Sequence, residues 1–280
     1  MKTIQTQTII DTVAEMCIEA NTFLSEDMLR GICIAESTEE SANGREILET
    51  MIENFDMAEK KGIPICQDTG MVVIYVSFGQ DLTIEGGSLE DALQWGVAKG
   101  YEEGYLRKSV VSDPFIRKNT NDNTPAVIHY KVVTGDQLKI KVLPKGFGSE
   151  NTSALKMLKP SDGMTGVIKF VVDTVERGSP NACAPIVVGV GVGGTMEKAA
   201  LLAKEALTRP LGRHHPKDHI ENLEDYLLQA CNALGIGPMG LGGSNTVLGV
   251  NVEVFPTHIA GLPVAVNISC YVNRHVEREL

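Results

Sequence analysis

The chain has 280 residues, 43% hydrophobic and 22% charged, which is enough apolar material for one large core or two smaller ones. Its formal net charge of -11 argues against sequence-independent binding to nucleic acid, which is held by clusters of Lys and Arg. No run approaches the roughly 18–20 uninterrupted apolar residues of a membrane span, and MKTIQTQTIIDTVAEM reads as a helix rather than a cleavable signal, so we expect a cytoplasmic protein with no membrane segment.

Apolar positions at three- and four-residue spacing predict helices in TIIDTVAEMCIEA, EDMLRGICIAE and REILETMIENFDMAEKKG, with Gly62 as a C-terminal stop. Cys17 and Cys33 fall on these stripes and read as core residues. From Ile63 the pattern turns to α/β. A loop, IPICQDTG, precedes MVVIYVSF, a β-branched run too short for an average helix and so a buried strand. Ser88 and Asp91 form a capping-box signature for a helix through Ala98. The alternating runs AVIHYKVV and QLKIKVLP, joined through TGD, read as a β-hairpin.

Ser161 to Gly178 carries a helical pattern, APIVVGVG reads as a buried strand, and TMEKAALLAKEAL as a helix capped by its threonine. A charged loop, RPLGRHHPKDH, leads to a helix from about Glu221 to Leu234, and TVLGVNVEVF and PVAVNISCYV are strands. The fold class expected is α/β, a helical N-terminal segment followed by mixed β-sheets flanked by helices. It forms a single domain over 1–280, with 1–62 helical and 63–280 bearing the chemistry.

Of the six cysteines, Cys66, Cys183 and Cys270 lie in non-helical contexts marked by Gly, Pro or Asn, whereas Cys17, Cys33 and Cys231 sit on apolar stripes. A reducing compartment makes disulfides unexpected and leaves packing thiols or metal ligands. The three loop cysteines are far apart in the chain and make no CxxC-type metal signature. Spacing by itself gives no site.

The motifs GIPICQDTG, NTNDNTPAVIH, KGFGSEN, SPNACAPIVVGVGVGGT and THIAGLPVAVNISC, in that order, resemble the class I fumarate hydratase and L-tartrate dehydratase family over nearly the whole chain. The resemblance implies that Cys66, Cys183 and Cys270 hold a [4Fe–4S] cluster with one iron lacking a protein ligand. That iron would act as a Lewis acid on a substrate hydroxyl. The resemblance also places Gln67, Asp68, Arg107, Gly148 and His258 at the substrate, with Arg107 forking a carboxylate and Asp68 a candidate base. An acidic protein that binds a dianion must gather its cations locally, and Arg117 and Lys145 are further candidates for that potential. Gly146 and Gly148 would let backbone N–H groups approach an anion.

Single-chain members of that family continue into a further domain with substrate-binding and proton-transferring residues. This sequence ends at VNRHVEREL. The resemblance therefore implies an alpha subunit whose site is completed by a separate beta-type subunit, as an α2β2 assembly, hydrating fumarate or, as the alternative, dehydrating L-tartrate. Gly189 to Gly194 satisfies GxGxxG between a strand and a helix, the context of a dinucleotide site. No prompt second parallel strand with a terminal acid follows, so an NAD-binding oxidoreductase is the more distant reading, and the glycines read as packing. His214, His215 and His219 read as solvated residues of the charged loop.

Overall fold

The computed structural model describes residues 2–280. The chain divides into two compact units, each assembled from separated segments: one from the N-terminus to Leu24, Phe55–Phe147 and Arg274–Leu280, the other from Ser25–Asn54 and Gly148–Asn273. The helical N-terminal segment is shared between them. Helix α1 (Thr6–Thr22) lies in the first unit, α2 (Glu26–Thr38) in the second, and the division falls within α3 (Ala42–Lys61).

The first unit begins with a strand that periodicity does not announce, β1 (Lys2–Gln5), paired in parallel with β3 (Leu82–Glu85). Its main sheet has the order β10-β5-β2-β4, formed by β2 (Met71–Gly79), β4 (Val127–Val133), β5 (Leu138–Lys145) and β10 (Val276–Glu279). Helix α1 and α4 (Leu89–Glu103) pack on it through Ile9, Val13, Cys17, Leu93 and Val97 against Ile74, Val76, Ile140 and Val142. The two helices approach closely because α4 presents glycines. A Cβ on Gly96 would lie 2.6 Å from the Val13 Cβ, and one on Gly100 2.7 Å from the Ala14 carbonyl oxygen. The expected cap of α4 is present, with Ser88 Oγ accepting from the Asp91 N–H at 3.4 Å.

The expected hairpin does not form. Strand β2 lies between β4 and β5, parallel to the first and antiparallel to the second. The apolar β2 takes the buried centre, and its continuation satisfies the turn that the hairpin reading needed: Gly79 N–H donates to Gln137 O and Asp81 N–H to Gly135 O, at 2.9 and 3.0 Å.

The second unit has a sheet of order β6-β9-β7-β8, from β6 (Ala154–Leu158), β7 (Ile186–Gly193), β8 (Val247–Phe255) and β9 (Leu262–Ser269), with only β7 and β8 parallel. Helices α6 (Gly163–Gly178) and α8 (Asp218–Asn232) share one core with Ile186, Val188, Val190, Val266 and Ile268. Helix α7 (Met196–Ala206) packs through Ala199 and Ala203 onto Ala265. Between β5 and β6, the one-turn helix α5 (Phe147–Glu150) straddles the division of the units.

Three local expectations need correcting. Thr195 stands at the N-cap of α7, but its hydroxyl donates to Glu197 Oε1 at 2.5 Å instead of receiving a backbone N–H. Cys33 is exposed, because the buried stripe of α2 runs through Met28, Ile32 and Ala35 and leaves position 33 outward. His215 is buried rather than solvated, with its Nδ1 accepting from the Lys217 N–H at 3.1 Å and its backbone N–H donating to Glu224 Oε2 at 3.1 Å. Among the described residues no helix is long and apolar enough to cross a membrane.

Candidate active site

In the first unit the loop between α3 and β2 carries Cys66, Gln67 and Asp68, and its side chains hold it by bonds to backbone groups. The half-buried Cys66 Sγ accepts from the Asp68 N–H at 3.4 Å. Both Asp68 carboxylate oxygens are engaged: Oδ1 accepts from the Gly70 N–H at 3.0 Å and Oδ2 from the Phe147 N–H at 2.9 Å. Asp68 thus stitches the QDTG loop to the KGF segment. Gly70 has φ +77, and a Cβ there would lie 2.7 Å from the Lys145 backbone nitrogen, so this crossing requires glycine.

The same loop reaches Arg107, because the buried Thr69 donates its hydroxyl to the Arg107 carbonyl at 2.7 Å. That bond fixes the Arg107 backbone while its side chain stays exposed, as does that of Gln67. Beneath them, Tyr101 donates to the Thr69 carbonyl at 2.5 Å; burial holds its phenol protonated, well above the usual tyrosine range. Asn123, fully buried with φ 63, accepts from the Ser109 and Val110 N–H groups at 2.7 and 3.2 Å and donates to Gly70 O at 3.1 Å. Lys145 is buried with its ammonium on the Gly146 carbonyl at 3.2 Å, whereas Arg117 is exposed.

In the second unit Cys183 precedes β7 and Cys270 follows β9. These strands are antiparallel, with Val187 opposite Ser269, so the two cysteines meet at one end of the sheet, where the Tyr271 N–H donates to Cys183 O at 3.3 Å. Cys183 is exposed with φ 54, and Cys270 is half-buried. Gly148 is exposed, and a Cβ there would meet nothing within 4 Å, so space for a ligand does not depend on its being glycine.

His258 lies elsewhere. It is exposed in the loop between β8 and β9, its Nδ1 accepting from the Ala260 N–H at 3.2 Å, and this loop adjoins Gly194 at the opposite end of the strands from Cys183 and Cys270. The length of β9, roughly 25 Å at 3.3 Å per residue, separates it from Cys270 within one copy of the chain. It borders an apolar cavity of about 390 Å³ lined by residues such as Met164, Val192, Leu223 and Val254.

The glycines of the GxGxxG lookalike are a packing surface for α7. A Cβ on Gly189 would lie 2.0 Å from Ala203 O, and one on Gly191 2.1 Å from Ala199 O. The parallel neighbour of β7 is β8, reached only after α7, a loop and α8.

Exposure separates Cys17 and Cys231 from the other four thiols, Cys33 reaching solvent from α2 and the remaining three from loops. Burial pushes the Cys17 and Cys231 thiols up to about 12, which makes them inert packing groups, while Cys66, Cys183 and Cys270 all reach solvent in loops. Among the described residues no three His, Cys, Asp or Glu side chains gather closely enough to hold a single metal ion. The loop thiols fit soft, iron–sulfur chemistry by type and access.

Within the first unit a solvent-reaching thiol, a backbone-anchored arginine and a carboxylate-stitched turn lie on connected loops, and within the second two further loop thiols share one end of the sheet. A family model described as fumarate hydratase (Fumerase) matches residues 10–279. The "Putative L(+)-tartrate dehydratase subunit alpha" of Methanocaldococcus jannaschii is 40% identical over 278 residues, 97% of this chain and 97% of that protein. The L(+)-tartrate dehydratase subunit alpha of Escherichia coli (strain UTI89 / UPEC) is 33% identical over 269 residues, 95% of this chain and 88% of that protein. The chain belongs to the fumarate hydratase family of hydro-lyases.

Proposed function

We propose that this chain is the alpha subunit of a hydro-lyase that dehydrates L(+)-tartrate, completed by a separate beta subunit. The observation that carries the reading is end-to-end similarity to proteins bearing that name, at 40% identity over 97% of both chains in one case. It displaces the fumarate expectation to second place. Hydration of fumarate stays as the second reading because the matching family model is described by it. An α2β2 assembly in the cytoplasm, with both units of this chain working as one catalytic domain, is part of the proposal.

Cys66, Cys183 and Cys270 would hold a [4Fe–4S] cluster. When bound, it supplies an iron without a protein ligand, a Lewis acid that lets the substrate hydroxyl leave as water. The chain's own groups do the rest of what it contributes. Arg107, its backbone pinned by Thr69 and its guanidinium exposed, receives a carboxylate bidentately. Gln67, exposed beside Cys66, offers its amide to the same ligand. Asp68 organises the pocket, since backbone N–H groups occupy both of its oxygens, and the base is assigned to the beta subunit.

The test is anaerobic reconstitution of the co-expressed alpha and beta subunits with iron and sulfide, followed by a panel of L-tartrate, its stereoisomers, malate and fumarate. Formation of oxaloacetate from L-tartrate at a kcat/KM well above that for malate or fumarate supports the first reading. Faster fumarate hydration would move the chain to the second, and NAD(H) binding without dehydration would sink both.

A further inference from the structure

Arg274, four residues along the chain from Cys270, is buried, 4% exposed, yet is absent from every motif that points to the site. Its Nη2 donates to the Asp68 carbonyl and its Nε to the Pro144 carbonyl at 3.4 Å, while Nη1 is buried without a protein partner. Both acceptors are main-chain carbonyls rather than carboxylates. One guanidinium therefore joins the loop that carries Cys66 and Asp68 to the strand end that leads into Gly146 and Phe147, and those segments meet again through the Asp68 carboxylate. The charge placed there is not neutralised by an acid at its hydrogen bonds.

We propose that Arg274 is a positioning residue with two separable tasks: it bridges the backbone of the Cys66–Gly70 loop to that of Pro144, and it supplies buried positive potential for a dianionic ligand. The planar fork suits the first task, since an ammonium cannot span two carbonyls in fixed directions. The second answers the requirement that an acidic chain concentrate cations where an anion binds. The inference deepens the hydro-lyase reading and rests on it for the ligand, although the bridge itself does not.

Two variants separate the tasks. Arg274→Lys keeps the charge and loses the bridge; Arg274→Met loses both. In the full-length chain without iron, the rate of Cys66 alkylation by iodoacetamide, resolved by mass spectrometry and divided by that of Cys183 in the same molecules, should rise about tenfold in both variants as the loop opens locally. In the reconstituted two-subunit enzyme, KM for the dicarboxylate should rise about tenfold or more in Arg274→Met and far less in Arg274→Lys. A ratio unchanged in folded Arg274→Lys overturns the bridge, as does an equal rise at Cys183, which would report general loosening. Equal KM effects in the two variants overturn the electrostatic task. If the unsubstituted complex dehydrates no dicarboxylate, the hydro-lyase reading fails, and the alkylation ratio still decides the bridge.

Discussion

Asp68 resembles a base by its place beside a cysteine, and the backbone N–H groups on both of its oxygens are what support the mechanical task proposed for it. A carboxylate that accepts from Gly70 and Phe147 can be replaced by an amide only at one oxygen, because the NH2 group then faces a backbone donor. Asp68→Asn should therefore lower stability by about 1–3 kcal/mol, measured as a shift in urea midpoint, in addition to any loss of turnover. A stable, fully folded Asp68→Asn with reduced kcat alone would return the residue to proton transfer. The cysteines separate in the same physical way. Replacement of Cys66, Cys183 or Cys270 by Ser should abolish the visible absorption of the reconstituted cluster. Cys17→Ser and Cys231→Ser should keep it at some loss of core stability, because those thiols are buried and held protonated. The loop setting of Cys66, Cys183 and Cys270 was legible from the Gly, Pro and Asn around them, whereas the exposure of Cys33 was not. Tyr101 and Arg274 were not readable, since their partners are main-chain carbonyls remote in sequence, which leave no residue pattern behind.

At the scale of elements, glycine decides where helices approach strands. Gly191→Ala would drive a methyl to 2.1 Å from Ala199 O, where the obstacle is helical backbone and no rotamer change relieves it. We expect a cost of about 3 kcal/mol or more, as for severe overpacking. Gly135→Ala is the control. Its φ of +95 is strained for alanine, but nothing lies within 4 Å, so its cost should stay near 1–2 kcal/mol. Thermal melts of the two variants check the order, and a Gly191→Ala protein as stable as Gly135→Ala would show that α7 can retreat freely. The same GVGVGG run was legible as packing because a strand with alternating glycines has one face without side chains. Pairing was less legible. The runs of β4 and β5 satisfy hairpin rules locally, but a third strand of greater apolar content takes the place between them. The short strands β1 and β10 escaped notice for a related reason: four residues carry too little period to register, and both exist because a neighbouring edge pairs with them.

For the molecule as a whole, a net charge of -11 makes acid the natural stress, and the second unit holds a buried carboxylate on which it acts. Glu39 is 1% exposed at the end of α2. Burial by itself would raise its pKa, but it accepts from the backbone N–H groups of Ser41, Ser244 and Asn245 and from the Asn245 amide, and these outweigh burial, bringing the value down to about 2. The glycine-rich loop before β8, the parallel neighbour of β7, is thereby tied to α2. A carboxyl whose folded value lies below its unfolded value of about 4.3 stabilises the protein in full above the unfolded value and loses that contribution as pH falls toward the folded one. The window is thus roughly pH 5 down to pH 2, with about 2–3 kcal/mol at stake and about half of it gone near pH 3. Glu39→Gln should be less stable than the unsubstituted chain by about that amount at pH 7, since its NH2 group faces donors, and the gap should narrow steadily below pH 5. Urea unfolding of both proteins between pH 7 and pH 3, followed by hydrogen exchange of the 243–246 amides, measures it. A gap that stays constant across that range would mean that Glu39 acts by shape and not by charge, and the acid sensitivity of the unit would then have to come from carboxylates elsewhere.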